Sequence, residues 1–337
     1  MILQRQWEDR LKQEELLWRQ KSRVQWLKQG ERNTSLFRKS TIQNRAFNRI
    51  PSLKTTNGDQ VFSQDHIGSE LNSYFTSLLS EPLQDRSQAI KEILGAIPSL
   101  VTEDQNALLL REFTEQEIEE TVFSMAMNKA PRPNGFIIEF FKACWPIIKA
   151  DLLILIRNFH RTKKVLPAIN ATFLTLIPKS NQADSPDKFR PIALCNVLYK
   201  ILSKLMAGRL KSVLPSIISQ EQTGYVEGRQ ITDSIILTQE VLHSLKTNRS
   251  PGMLIQLDLS KAFDRISWKY MRAILQAFGF SQLWINWIME LVSSAFFSIP
   301  LNGGPLQPFS PSRGIRQGDP LSPFLFKIGR ASCRERV

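Results

Sequence analysis

Residues 253–260, "MLIQLDLS", set one carboxylate, Asp258, inside an almost unbroken apolar run. Such a run reads as a buried strand. A buried charge needs a partner, and at a strand end a metal ion is the simplest one; a local cap or ion pair is the alternative. Residues 312–323, "SRGIRQGDPLSP", form a second candidate. Two glycines let the backbone approach a ligand closely, and Arg313, Arg316 and Gln317 supply donors. Other chemistries find little support. His66, His160 and His243 are isolated, and Cys144, Cys195 and Cys333 are too few and scattered for a disulfide framework or a zinc site. No G-x-x-x-x-G-K-[ST] phosphate loop occurs.

The elements that must position these residues follow from period and punctuation. Residues 4–29 predict a helix stopped by Gly30, with Trp7, Leu11, Leu17, Val24 and Leu27 on one stripe. Thr114 to Glu117 fit a capping box ahead of Ile118 and Val122. "NKAPRPNG", residues 128–135, breaks that helix, and helix resumes over 136–159 with an interruption at Pro146. "TFLTLIPK", residues 172–179, reads as a strand with a basic end, and a long helix follows from about Asn196 to Val213. After the Asp258 segment, Ser267 caps a helix carrying Trp268, Met271, Leu275 and Phe278, with Gly279 as its stop. Residues 295–310 read as a hairpin around Asn302-Gly303-Gly304.

The 337 residues are 42% hydrophobic, enough for one large domain or two ordinary ones. No run of 18 apolar residues predicts a membrane span. The net charge is +13, and the first fifty residues hold 12 Lys/Arg against 5 Asp/Glu, interleaved with Trp7, Trp18, Trp26 and Phe37. That excess favours a polyanionic partner, and bases beside aromatics suit a nucleic-acid groove; a solvated amphipathic helix is the bland alternative.

The order of four segments is specific. "IPKSNQADSPDKFRPIALCNVLYKILSKLMAGRLK", "QTGYVEGRQITDSI", "IQLDLSKAFDRISW" and "SRGIRQGDPLSP" follow one another as in reverse transcriptases. The set resembles the polymerase of plant LINE-type (non-LTR) retrotransposons over roughly residues 15–326, with "WLKQGERNTSLFRKS" and "NKAPRPNGF" similar to that family's linker and extra N-terminal motif. A group II intron maturase is a related alternative, against which "GERNTSLF" argues.

The resemblance implies an α+β right-hand polymerase: fingers and a partial palm over residues 111–326, and a helical N-terminal extension over 1–110. It implies primer extension on an RNA template with deoxynucleoside triphosphates and two Mg2+ ions. Asp258 would be the first catalytic carboxylate and Leu259 would offer its carbonyl to the same metal site. Phe263 would stand against the nucleotide sugar and reject a 2′-hydroxyl. Lys179 and Arg190 would hold the triphosphate, and Gln317 and Gly318 would line the nucleotide pocket. Gln222, Gly228 and Arg229 would face template and primer or serve in packing, and Arg316 would lie on the template side. Asp264 reads as structural, paired with Arg265 or a loop backbone. Arg132 and Asn134 stand where the family has Gly and Asp, which puts the conformation of that loop in question, and Ser234 replaces a common Asn.

The family's paired aspartates come from a later hairpin, and the sequence contains no Asp-Asp dipeptide. The expectation is therefore a domain truncated before that motif, without thumb, and inactive as given. The alternative is a non-catalytic nucleic-acid-binding remnant or pseudogene fragment. A nuclear location follows only from the family. "IGRASCRERV" matches one reading frame of a widely used short-read sequencing adapter, so residues 327–337 are expected to be a non-native tail, adding +3 (four basic minus one acidic).

Overall fold

The computed structural model describes residues 2–22, 34–55, 57–95, 97–127, 129–130, 132–220, 222–249, 251–255 and 258–331. In chain order the elements are α1 (Ile2–Ser22), α2 (Thr34–Asn48), β1 (Leu53–Lys54), β2 (Gln60–Val61), α3 (Gln64–Leu78), α4 (Ser87–Leu94), α5 (Glu103–Leu110), α6 (Glu115–Phe123), α7 (Ile138–Ala143), α8 (Trp145–Thr162) and α9 (Pro167–Asn170). Then come β3 (Ala171–Pro178), β4 (Phe189–Cys195), α10 (Val197–Ile217), α11 (Ile231–Thr247), α12 (Trp268–Ala277), α13 (Gln282–Ser293), β5 (Phe296–Ser298), β6 (Pro300–Leu301), β7 (Gly304–Pro305) and α14 (Ser322–Ala331). No described helix is long and apolar enough to cross a membrane.

The central sheet has the order β4-β3-β5, with β3 antiparallel to β4 and parallel to β5. Burial alternates along β3 and β4, the period of two that places Leu174 and Leu176 on one face. Pro191 sits inside β4, and β4 is an edge strand, where a missing N–H is tolerated. Two cores flank this sheet. The larger one is built around α10 and α13, with Tyr199, Trp284 and Trp287 fully buried. The smaller one sets Leu71 and Phe75 of α3 against Leu174, Leu176, Phe189 and Phe297 of the sheet.

Arg209 of α10 ties the helical core together. Its guanidinium is buried, stacks on the Phe113 ring at 3.8 Å, and donates to the carbonyls of Leu109, Arg111 and Glu112. Those carbonyls lie where α5 ends and would otherwise have no partner. Both Glu117 carboxylate oxygens accept from Arg209 at 2.9 Å. Thr114 caps α6 by accepting from the Glu117 N–H, but the predicted reciprocal bond is not formed, because Glu117 faces Arg209.

The structure differs from the sequence reading, or leaves it untested, at four points. First, residues 253–255 are not a strand; Met253, Leu254 and Ile255 are 64–83% exposed. Among the described residues no strand runs beside them, and a strand without a ladder partner has nowhere to direct its N–H and C=O groups. Second, α14 continues past Lys327 to Ala331, with Leu321, Leu325 and Ile328 buried at helical spacing; residues 332–337 of the expected tail lie outside the described residues. Third, Arg132 does not need a glycine conformation. The loop closes with Gly135 N–H donating to Arg132 C=O, and among the loop's described residues it is Gly135 that takes a positive φ, +79°. Fourth, α1 is described only to Ser22, and the predicted Gly30 stop lies outside the described residues.

Arg209→Met should destabilise the fold by about 3–5 kcal/mol, because it leaves Glu117 and three helix-end carbonyls without donors. Urea unfolding of the two proteins measures this, and Arg209→Lys should recover only part of the loss, since an ammonium cannot reproduce the planar fork.

Candidate functional site

A cavity of about 550 Å³ opens where β3, β4, α3, α14 and the 258–264 turn meet. Lys179, Arg190, Asp258, Leu259, Phe263 and Gln317 all line it. The predicted catalytic carboxylate and five of the six predicted nucleotide residues, drawn from four separate stretches of sequence, thus share one wall system; the sixth, Gly318, is not in the lining. Lys179 follows β3, where its N–H donates to Lys188 C=O and its Nζ donates to Asp187 C=O at 2.8 Å. Arg190 alternates with buried Phe189 and Pro191 on β4, so strand geometry turns it outward to the cavity. Gln317 is fixed by its carbonyl, which accepts from Ala193 N–H at 2.8 Å. Gly318 has φ +101°, and a Cβ there would lie 3.2 Å from Ala193 O.

The predicted template-side residues are not in this cavity. Arg316 is interior, 6% exposed, with its guanidinium 4.2 Å from the Tyr199 ring centroid and donating to Leu291 C=O. Arg229 folds back on the end of α10 and donates to the carbonyls of Ile218, Ser219 and Gln222. Gly228, φ +77°, and Gln222 belong to the same loop. Ser234 hydrogen-bonds Thr223 across this loop at 2.8 Å.

The walls also contain residues that the motifs did not reveal. Phe75 and Leu78 come from α3, within the stretch read as a linker, and Lys261, Phe326 and Arg330 complete the lining. Phe263 stacks on Phe326 with centroids 4.6 Å apart. Nothing in the sequence of α3 pointed to a ligand site. Four cations (Lys179, Arg190, Lys261, Arg330) face two carboxylates (Asp258, Asp264), leaving two positive charges over. This balance suits an anionic ligand such as a triphosphate.

The expectation for Asp264 is a structural role, paired with Arg265 or a loop backbone; the first of these pairings is absent. Asp264 is buried and makes no salt bridge with Arg265. Burial raises its carboxyl to about 6, against the pull of Lys261, Lys179, Arg265 and Arg313. Asp258, by contrast, is exposed. Among the described residues no three His, Cys, Asp or Glu side chains come together as a metal cluster. Asp258 and the Leu259 carbonyl offer a metal ion part of a ligand set, which does not amount to a two-metal centre.

A second cavity, about 230 Å³, lies beyond the other end of β4, between the 129–138 segment and α10. Its apolar floor includes Met125, Ile138 and Val197, and Lys129, Arg132, Lys200 and Lys204 surround it without an acid. Burial, then the nearby Arg132, lowers the Lys200 ammonium below its ordinary range. Asn134 N–H donates to Asn196 Oδ1, which pins this loop to the start of α10.

Residues 177–332 match the family model of the reverse transcriptase (RNA-dependent DNA polymerase). The chain is 28% identical over 311 residues to the transposon TX1 149 kDa protein of Xenopus laevis, covering 91% of this chain and 23% of that protein. It is 29% identical over 217 residues to the Pol polyprotein of the Drosophila melanogaster element R2DM, covering 64% and 20%. An R2 Pol polyprotein of Popillia japonica is 30% identical over 153 residues, covering 45% and 21%. The chain spans less than a quarter of the length of these relatives.

The Asp264 carboxyl gives a pH test. Folded, it holds its proton to about pH 6, against 3.8 for the ordinary group, so the folded state binds more protons between those values. Stability should therefore fall as pH rises through that window and level off above it, by about 3 kcal/mol in total. Asp264→Asn should remove this slope and be the more stable protein at pH 7.5, as read by urea unfolding at several pH values.

Proposed function

We propose that residues 177–332, which match the reverse transcriptase family model, act as a reverse transcriptase domain of the non-LTR retrotransposon type, and that the larger cavity takes the incoming deoxynucleoside triphosphate of RNA-directed DNA synthesis. The observation that carries this reading is the convergence of Lys179, Arg190, Asp258, Phe263 and Gln317 on one net-cationic cavity. Arg190 and Lys179 hold the triphosphate oxygens, the guanidinium in a bidentate manner and the ammonium as a point charge. Phe263, backed by Phe326, presents a ring edge to the sugar and leaves no room for a 2′-hydroxyl. Gln317 orients the base side of the pocket. Asp258 and Leu259 are the proposed Mg2+ ligands. The family's chemistry is a two-metal displacement of pyrophosphate by the primer hydroxyl, for which the described residues supply an incomplete ligand set.

The RNA template and DNA primer are the proposed partners, and the second, basic cavity is the proposed track for the template backbone. The four cations around it support that reading, because each phosphate contact releases counterions. The finer assignment to a plant LINE element, with a nuclear site of action, belongs to the same proposal. The exposed Asp258 segment favours a second reading for the 337 residues alone: nucleotide and nucleic-acid binding without catalysis.

Two measurements on residues 1–337 test this. A fluorescent dATP should bind, and Lys179→Ala or Arg190→Ala should each weaken binding about tenfold, the loss of one charge-assisted contact. Template-directed primer extension with Mg2+ should be undetectable. Extension would show that the acidic ligands are sufficient as they stand, and unchanged dATP binding in both variants would remove the triphosphate assignment.

A further inference from the structure

The larger cavity is not built by the matched domain alone. Helix α3 lies more than a hundred residues upstream of residue 177, yet Phe75 and Leu78 form part of the wall. Its neighbour Tyr74 reaches the turn that carries the predicted nucleotide contacts. The Lys261 ammonium lies over the Tyr74 ring at 4.5 Å from the centroid and donates to the Tyr74 hydroxyl, across 187 positions of sequence.

That contact falls on a conformationally unusual residue. Lys261 has φ +53°, in the left-handed region that a residue with a Cβ rarely adopts. The turn closes with Asp264 N–H donating to Lys261 C=O at 3.0 Å. Left-handed non-glycine residues persist where their surroundings over-determine them. On the far side, Ile315 N–H donates to Phe263 C=O and Gly314 N–H to Ile266 C=O, so the end of the turn is fastened. Among the described residues its start has no such bond: Leu259 and Ser260 are exposed and residues 253–255 join no sheet. Between the two, the Lys261 side chain is the one anchored on α3.

We propose that Tyr74 is a positioning residue for the nucleotide cavity: by holding Lys261 it fixes the left-handed turn that presents Phe263 to the sugar. Tyr74 touches no reacting atom in this role. The effect on the nucleotide rests on the reading of the cavity given above, whereas the effect on the turn does not.

The test uses residues 1–337 and two readouts. The first is tryptic cleavage after Arg265, just past the turn, relative to cleavage after the exposed Lys163. Tyr74→Leu should accelerate Arg265 cleavage about tenfold by removing a partly desolvated cation–π contact, and Tyr74→Phe, which keeps the ring, should do so less. In a Lys261→Gly background, where glycine accepts the left-handed conformation unaided, Tyr74→Leu should have no further effect. The second readout is the ratio of dATP to ATP affinity, with the same fluorophore on the γ-phosphate of each. Tyr74→Leu should lower that ratio about fivefold if the Phe263 ring is released from its position. Unchanged Arg265 cleavage, acceleration at Lys163 to the same degree, or an equal effect in the Lys261→Gly background would each overturn the proposal. Faster Arg265 cleavage in a protein whose wild type binds neither nucleotide would leave the positioning role standing and remove the nucleotide reading.

Discussion

Three walls of the larger cavity are fastened to residues 312–317: α3, the end of the 258–264 turn, and β4. Ser312 and Arg313 N–H donate to Leu79 C=O, and the Arg313 side chain donates to Leu78 C=O, so the segment caps the end of α3. Gly314 and Ile315 N–H pair with Ile266 and Phe263 C=O, which brings in the turn. Gln317 C=O accepts from Ala193 N–H, which brings in β4. Gly314 permits this crossing: its φ is +87°, and a Cβ would lie 2.8 Å from Asp264 O. A side chain at that position would push the turn away from the segment that holds it.

The same segment is anchored from behind by a buried polar group of residues. Arg316 rests on Tyr199 and Phe297 and donates to Leu291 C=O. Asp319 accepts from Ser203 Oγ at 2.5 Å and from both the N–H and Oγ of Ser322, at the start of α14. Gln317 and Gly318 lie between these two fixed charges. The Arg316 guanidinium is thus committed to interior partners, and it bears on the cavity only by holding the segment that carries Gln317. Positional rigidity of this kind is what a nucleotide pocket requires of residues that contribute through geometry.

Much of this was legible in the sequence, and the reasons for the exceptions differ. The period-two pattern of β3, the long apolar helix α10, the Ser267 cap and the Asn302-Gly303 turn depend on neighbours within a few residues, and the structure contains all of them. The convergence of Lys179, Arg190 and Gln317 could be expected only through the family resemblance, because the contacts that create it span over a hundred residues. The template-side reading of Arg316 and Arg229 came from the family motif, with packing as the alternative for Arg229; both side chains donate to backbone carbonyls, a use to which arginine's several donors are well suited. The role of α3 left no trace, since Phe75 and Leu78 serve as ordinary core residues on one side and cavity wall on the other.

The failed strand at residues 253–255 has a consequence for how the site is divided. Strand propensity is largely a statement about packing on a pleated surface, and a ladder belongs to two segments together. Among the described residues no second segment lies there, and α11 beside it in sequence exposes Ile235, Ile236, Leu237, Val241 and Leu242. Lys179, Arg190 and Gln317 do not depend on that ladder, because β3, β4 and residues 312–319 hold them. Asp258 does depend on it. The half of the cavity that carries Lys179 and Arg190 is therefore set by a formed sheet, while the half that carries Asp258 relies on the turn beginning at Ser260 and on what α3 does to hold it. On the proposed reading, binding of the triphosphate and placement of the carboxylate are separable.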